Sequence, residues 1–222
     1  MTLRKRIGVL ISGRGSNLQS LIEACRAPDY PAEIVTVISN RPHAFGLERA
    51  RKAGLPALTI DHKTYRSRAA FDADLDGVLR DAGVEIICSA GFMRILTDGF
   101  VEAWRDRQLN IHPSLLPAFR GLNPQEQALR AGVRVSGATV HFVRAEMDAG
   151  PIVAQAVVPV LPDDTVATLS ERILAAEHRL YPHALRLVAS GLAWVEGERV
   201  RYAGPSVTTS FIHVSGDDQA ES

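Results

Sequence analysis

The sequence predicts an α/β fold with a Rossmann-like, mostly parallel central sheet, flanking helices, late strands and a C-terminal hairpin. Three observations carry that expectation. Short β-branched and aliphatic runs such as Arg6–Ser12 (RIGVLIS), Ala32–Ser39 (AEIVTVIS) and Val84–Ala90 (VEIICSA) read as strands buried on both faces. Helical patterns fall between these runs at the spacing of strand–helix–strand units with right-handed crossovers. The 222 residues, 46% hydrophobic and 23% charged, suit a globular domain with a sizeable core.

Taken in order, Arg6–Ser12 leads into Gly13-Arg14-Gly15-Ser16-Asn17. A helical pattern follows, with Leu18, Leu21, Ile22 and Cys25 on one stripe and Pro28 and Pro31 at its exit. Ala32–Ser39 is the next strand, Phe45–Ala53 a helix with Gly54 as C-cap, and Leu55–Ile60 a short strand. Ser67–Ala82 reads as a helix ended by Gly83. Val84–Ala90 is a strand that opens into Gly91–Leu96, ahead of a helix near Asp98–Trp104. Leu109–Pro117 (LNIHPSLLP) reads as a strand end released into a turn stiffened by Pro113 and Pro117, since proline suits neither a central strand nor a helix interior. Pro124–Ala131 is a short helix. Gly137–Val143 and Ile152–Val160 are strands joined by a loop holding Asp148 and Gly150, and Thr165–Ser190 is a long amphipathic helix with Thr165 as N-cap. Trp194-Val195 and Val200–Tyr202 suggest a closing hairpin. Residues 1–203 are expected to form one domain and 204–222 a flexible polar tail.

Twenty-five basic residues balance twenty-five acidic ones, which gives no global support for a nucleic-acid or anionic-membrane partner. The basic start, Met1–Arg6, runs straight into a strand without a signal-peptide apolar region, and no apolar run is long enough to span a bilayer. The expected compartment is the cytoplasm. The two cysteines, Cys25 and Cys88, are far apart and read as packing residues. No His/Cys/Asp/Glu grouping has metal spacing, and no Gly-x-Ser-x-Gly elbow offers an acyl-enzyme nucleophile.

Four features could carry chemistry. Asn110 and His112 lie two apart at a strand end, so both leave the same face while Ile111 packs the other way. An amide that donates to an oxyanion beside an imidazole that carries a proton is an acyl-transfer pair; a polar turn satisfying its own backbone is the alternative. Ser12–Asn17 joins a strand to a helix, where glycines and free helix N–H groups favour a phosphate. It lacks the Lys-Ser/Thr of a Walker loop, and Leu18 stands where a dinucleotide loop has its third glycine. Gly91–Leu96 could wall a flat aromatic ligand at the sheet edge, against the alternative of plain core packing. Asp148, in a Gly/Pro-flanked loop, is a surface turn residue unless the fold brings it to His112, where its charge would favour the imidazolium. Single histidines, His141 among them, read as structural, and Glu177-His178 as a packed or solvated helix face.

Together SGRGSN (Ser12–Asn17), GFMRIL (Gly91–Leu96), NIHPSLLP (Asn110–Pro117), TVHFV (Thr139–Val143) and DAGP (Asp148–Pro151) resemble the phosphoribosylglycinamide formyltransferase family, over about residues 6 to 200. The resemblance implies that Asn110, His112 and Asp148 are the catalytic trio. It implies that Gly15, Ser16 and Asn17 hold the substrate phosphate and that Glu177 reaches the ribose. It further implies that Arg68, Met93, Arg94, Ile95 and Leu96 contact 10-formyltetrahydrofolate, as does the loop from His141 to Asp148. No metal is implied, and the partners would be small molecules, glycinamide ribonucleotide and the folate, in a monomer or homodimer. The sequence departs from the family at Arg120-Gly121-Leu122-Asn123, where Pro-Gly-x-His is usual.

The expected reaction is direct formyl transfer to the nucleotide amine through a tetrahedral intermediate. Three rivals stand beside it. A methionyl-tRNA formyltransferase would call for a further RNA-binding domain and a basic surface. A formyltetrahydrofolate hydrolase would call for an N-terminal regulatory domain, with no room before Arg6. A non-catalytic phosphate or nucleotide-binding module would use Gly13–Asn17 alone.

Overall fold

The computed structural model describes residues 4–203 and 211–213. Its first half alternates strictly: β1 (Lys5–Ile11), α1 (Ser16–Cys25), β2 (Ala32–Ser39), α2 (Phe45–Lys52), β3 (Ala57–Thr59), α3 (Arg68–Asp81), β4 (Ile86–Ser89), α4 (Asp98–Ala103) and β5 (Gln108–His112). The second half holds α5 (Pro124–Ala131), β6 (Val135–Phe142), β7 (Ile152–Pro159), α6 (Val166–Ala189), the hairpin β8 (Ala193–Glu196) and β9 (Arg199–Tyr202), and β10 (Phe211–His213). The central sheet runs β10-β7-β6-β5-β4-β1-β2-β3. Strands β3, β2, β1, β4 and β5 are parallel, whereas β6 is antiparallel to both β5 and β7. Of the tail expected to be flexible, residues 211–213 pair in parallel with β7, and the rest lies outside the described residues.

The alternation of side chains assigns each strand to two cores. Ile7, Val9 and Ile11 of β1, Ile86 and Cys88 of β4, and Leu109 and Ile111 of β5 pack with Leu18, Leu21, Ile173, Leu180 and Tyr181 of α1 and α6. Leu10 and Ile87 point the other way, into a second core with Phe71, Leu75, Phe100 and Trp104 of α3, α4 and the turn after it. A Cβ on Gly8 would lie 2.7 Å from Leu79 and 3.0 Å from Val84, so glycine is what lets α3 approach β1.

Helix starts follow their cap residues. Ser67 and Thr97 accept from the N–H groups of Ala70 and Phe100, and Thr165 forms a reciprocal capping box with Thr168. Cys25 and Cys88 are both buried free thiols, and burial pushes Cys25 up to about 12.

The turn after β5 is pinned to β6 by a single hydroxyl. Thr139 Oγ1 accepts from Leu116 N–H at 3.0 Å and donates to the Ser114 carbonyl at 2.7 Å. Gln155 Nε2 adds bonds to the Leu116 carbonyl at 2.9 Å and to Thr139 Oγ1 at 3.0 Å. Thr139 is fully buried, so its hydroxyl cannot be replaced by water. Thr139→Val keeps the shape, orphans these partners and should cost about 1–3 kcal/mol in a denaturant-unfolding measurement.

Candidate functional site

Strand β5 continues to His112, and Leu109 and Ile111 face the α1/α6 core, so Asn110 and His112 share the opposite face. The loop between β6 and β7 brings Asp148 to them. Phe142 at the end of β6 pairs with Leu109, so this loop leaves at the start of β5 and doubles back over its face. Asp148 Oδ2 ends 3.4 Å from His112 Nδ1, with the His112 side chain only 7% exposed and that of Asp148 10%. Gly150 makes the return possible: a Cβ there would meet the Phe142 carbonyl oxygen at 1.8 Å.

A second loop closes the group from the other side. The Phe119 carbonyl accepts from His112 Nε2 at 2.9 Å, and Gly121 N–H donates to Asp148 Oδ2 at 2.9 Å. Acceptors therefore face both ring nitrogens of His112, the Phe119 carbonyl at Nε2 and the Asp148 carboxylate at Nδ1. Phe119, Gly121 and Asn123 have φ of 55°, 78° and 53°, and Asp148 has 52°, so both loops are held in left-handed turns at the residues that meet. Arg120, where the family pattern differs, pairs with Glu146 at 2.7 Å across the two loops. Phe119 and Gly121 act through backbone atoms, which left no side-chain signal in the sequence.

His141 lies beneath the trio. Its Nδ1–H donates to the Phe142 carbonyl at 2.9 Å, leaving Nε2 to accept from Asn110 Nδ2 at 3.2 Å. Its Nε2 is also 3.8 Å from Asp148 Oδ1. Burial holds the His141 pKa below its usual value, more than the Phe142 carbonyl and Asp148 raise it, which keeps Nε2 an acceptor. At 2% exposure, the ring orients Asn110 rather than lining open space.

The loop between β1 and α1 presents an uncapped helix N-terminus. Gly15 is the N-cap with φ +69°, and a Cβ there would lie 2.6 Å from Gly46 Cα; Gly46 N–H in turn donates to the Gly13 carbonyl at 3.0 Å. No side chain caps α1, no acidic residue lies in its first turn, and its first amides have no helical partner. Asn17 Nδ2 donates to Glu177 Oε2 at 2.8 Å, which links this loop to α6. Burial pushes the Glu177 carboxyl up to about 7, against the lowering effect of Asn17.

Beyond Gly91, Met93 (69% exposed) and Ile95 (55%) present an apolar edge, while Leu96 turns into the second core. The Arg94 guanidinium lies 4.5 Å from the centroid of the Phe71 ring. Arg68 is exposed at the start of α3, one turn before Phe71, and makes no ion pair with the trio. On the same sheet face, a cavity of about 600 Å³ is bounded by Val101 of α4, Val143, Arg144 and Ala149 of the returning loop, and Glu198 of the hairpin. Among the described residues no group of three or more His, Cys, Asp or Glu is placed to hold a metal ion, and no helix is long and apolar enough to cross a membrane.

A profile of the formyl transferase family matches residues 5–185. The chain is 56% identical over 188 residues to the trifunctional purine biosynthetic protein adenosine-3 of Bos taurus, covering 85% of this chain and 19% of that protein. It therefore spans about a fifth of the length of such trifunctional relatives. It is 40% identical over 207 residues to the phosphoribosylglycinamide formyltransferase of Haemophilus influenzae, covering 90% of this chain and 98% of that one. A solved structure, glycinamide ribonucleotide transformylase 1 from Symbiobacterium toebii, matches with a TM-score of 0.87 at 55% identity, over 90% of this chain and 94% of that chain.

The burial of Glu177 has a pH signature. Its folded pKa of about 7 lies above the ordinary 4.5, so between those values the unfolded chain releases a proton that the folded chain retains. Ionisation thus favours unfolding, and stability falls from about pH 4.5 to 7 and then levels. Glu177→Gln keeps an acceptor for Asn17, and its unfolding free energy should decline less than that of the wild type between pH 5 and pH 8.

Proposed function

Because the chain belongs to the phosphoribosylglycinamide formyltransferase family, we propose that its site carries a formyl group from 10-formyltetrahydrofolate to the amine of 5′-phosphoribosylglycinamide, a step of purine biosynthesis. The observation that carries this reading is the meeting of Asn110 and His112 of β5 with Asp148 of a distant loop on one face of the sheet. The α1 loop is the natural seat for the substrate phosphate, with Gly15, Ser16 and Asn17 nearest and Glu177 behind them. The exposed apolar edge of Met93 and Ile95 suits the folate ring, with Arg68 and Arg94 on the same side.

In this reading the amine nitrogen bonds to the formyl carbon, whose oxygen takes on negative charge. Asn110 Nδ2 and protonated His112 donate to that oxygen, and a well-placed donor of this kind is worth about 3–4 kcal/mol. His112 exchanges its bond to the Phe119 carbonyl for the oxyanion, while Asp148, fixed by Gly121 N–H, orients the ring from its Nδ1 side. The bond from the formyl carbon to the folate nitrogen then breaks as His112 gives its Nε2 proton to that leaving nitrogen, and the ring is reprotonated by the proton the attacking amine loses, directly or through a bound water. Alignment of the two substrates supplies much of the remaining acceleration. We place the reaction in the cytosol, where buried thiols such as Cys25 and Cys88 stay reduced.

The test combines 10-formyltetrahydrofolate with the protein, with and without glycinamide ribonucleotide. Folate release that depends on the amine supports transfer; equal release without it indicates a hydrolase, and none in either case a binding module. His112→Ala should lower kcat by about 10²–10³-fold with the nucleotide Kd, measured calorimetrically, nearly unchanged. Wild-type turnover in that variant would sink the assignment.

A further inference from the structure

A buried polar chain joins the loop proposed for the phosphate to the loop proposed for the folate. Ser12, 3% exposed, follows β1, and its N–H donates to the Gly91 carbonyl at 3.1 Å. Its hydroxyl oxygen accepts from Met93 N–H at 2.7 Å, and its own proton goes to Asn40 Oδ1 at 2.6 Å. Asn40, 1% exposed, follows β2, and its backbone carbonyl takes a bond from His62 Nδ1 at 2.8 Å. The chain has one direction: Ser12 Oγ receives Met93 N–H and passes its single proton on to Asn40 Oδ1.

The Met93–Leu96 segment needs such an anchor. Among the described residues, 92–96 make no backbone–backbone hydrogen bond, and Met93 and Ile95 turn their side chains outward. What holds the segment at its two ends is a pair of buried side-chain acceptors. Ser12 takes Met93 N–H at one end, and Asp72 Oδ2 takes Thr97 N–H at 2.6 Å at the other. Only the Ser12 end is continuous with the loop at Gly13–Asn17.

We propose that Ser12 and Asn40 are positioning residues that set the apolar folate edge at a fixed offset from the anion loop, so that donor and acceptor substrates arrive together over Asn110 and His112. Both side chains are buried and act through Met93, without touching either substrate. Misplacement of a bound group by about an ångström is enough to lower a rate strongly, so a hydrogen bond outside the substrate contacts can govern the use of one substrate. The inference rests on the function proposed above.

The test is steady-state kinetics with both substrates varied, on wild type, Ser12→Ala, Ser12→Thr and Asn40→Ala. Ser12→Ala and Asn40→Ala should raise KM for the formyl donor roughly tenfold, the scale of one lost buried hydrogen bond, while KM for the nucleotide moves far less. Ser12→Thr, which keeps the hydroxyl, should return the donor KM toward the wild-type value. Calorimetric binding of the formyl donor alone gives a second readout if either alanine variant is too unstable for kinetics. An unchanged donor KM in both alanine variants overturns the proposal, as does an equal rise in both KM values that Ser12→Thr fails to reverse. A wild-type protein that binds no formyl donor would instead refute the function itself.

Discussion

The alternation of β5 sets where the site can be. Leu109 and Ile111 are committed to the core against α6, and that commitment turns Asn110 and His112 to the opposite face. A shift of one residue would exchange the two sets, burying an amide and an imidazole among aliphatic side chains and exposing leucine and isoleucine. The register is fixed twice, by parallel pairing with β4 and by antiparallel pairing with β6, and the turn beyond His112 is fixed by Thr139. The chemistry of the face therefore inherits its precision from hydrophobic packing on the other side of the sheet.

Around that face the groups are held by backbone as much as by side chain. His112 lies between the Phe119 carbonyl and the Asp148 carboxylate, Asp148 is tied to Gly121 N–H, and Asn110 is turned by a neutral His141. Each polar group meets a partner of the opposite hydrogen-bonding kind, which is what allows so much polarity at low exposure. The substitution of arginine at position 120 leaves these bonds in place and adds an ion pair between exposed side chains, an interaction of small energetic weight.

Much of this was legible in the sequence, for definable reasons. Strand and helix positions follow from period, cap residues and glycine stops, and element ends moved by only a few residues; Leu55–Ile60 shrank to Ala57–Thr59. The common face of Asn110 and His112 follows from a two-residue repeat. Strand direction was less legible, because β6 and β7 have aliphatic runs like those of parallel strands and their antiparallel pairing shows only in three dimensions. The approach of Asp148 depends on a loop path, the roles of Phe119 and Gly121 belong to main-chain atoms, and the burial of Glu177 depends on α1 packing against α6. None of these has a local pattern of residue types. His141 read as structural from its strand position, and its contact with Asn110 required the β5–β6 register.

The left-handed turns at Phe119, Asn123 and Asp148 carry a further consequence for how this protein could change. A side chain in that conformation costs about 1–2 kcal/mol relative to glycine, so each position is one where a replacement could relieve local strain. Selection for heat resistance alone would find part of its gains here, in the two loops that bracket His112. Selection for turnover would resist them, because a looser chain at Phe119 also loosens the carbonyl that faces the imidazole. Thermal robustness and catalytic competence therefore draw on the same few backbone angles, and variants hardened against heat would be expected to carry their stabilising changes elsewhere in the sheet.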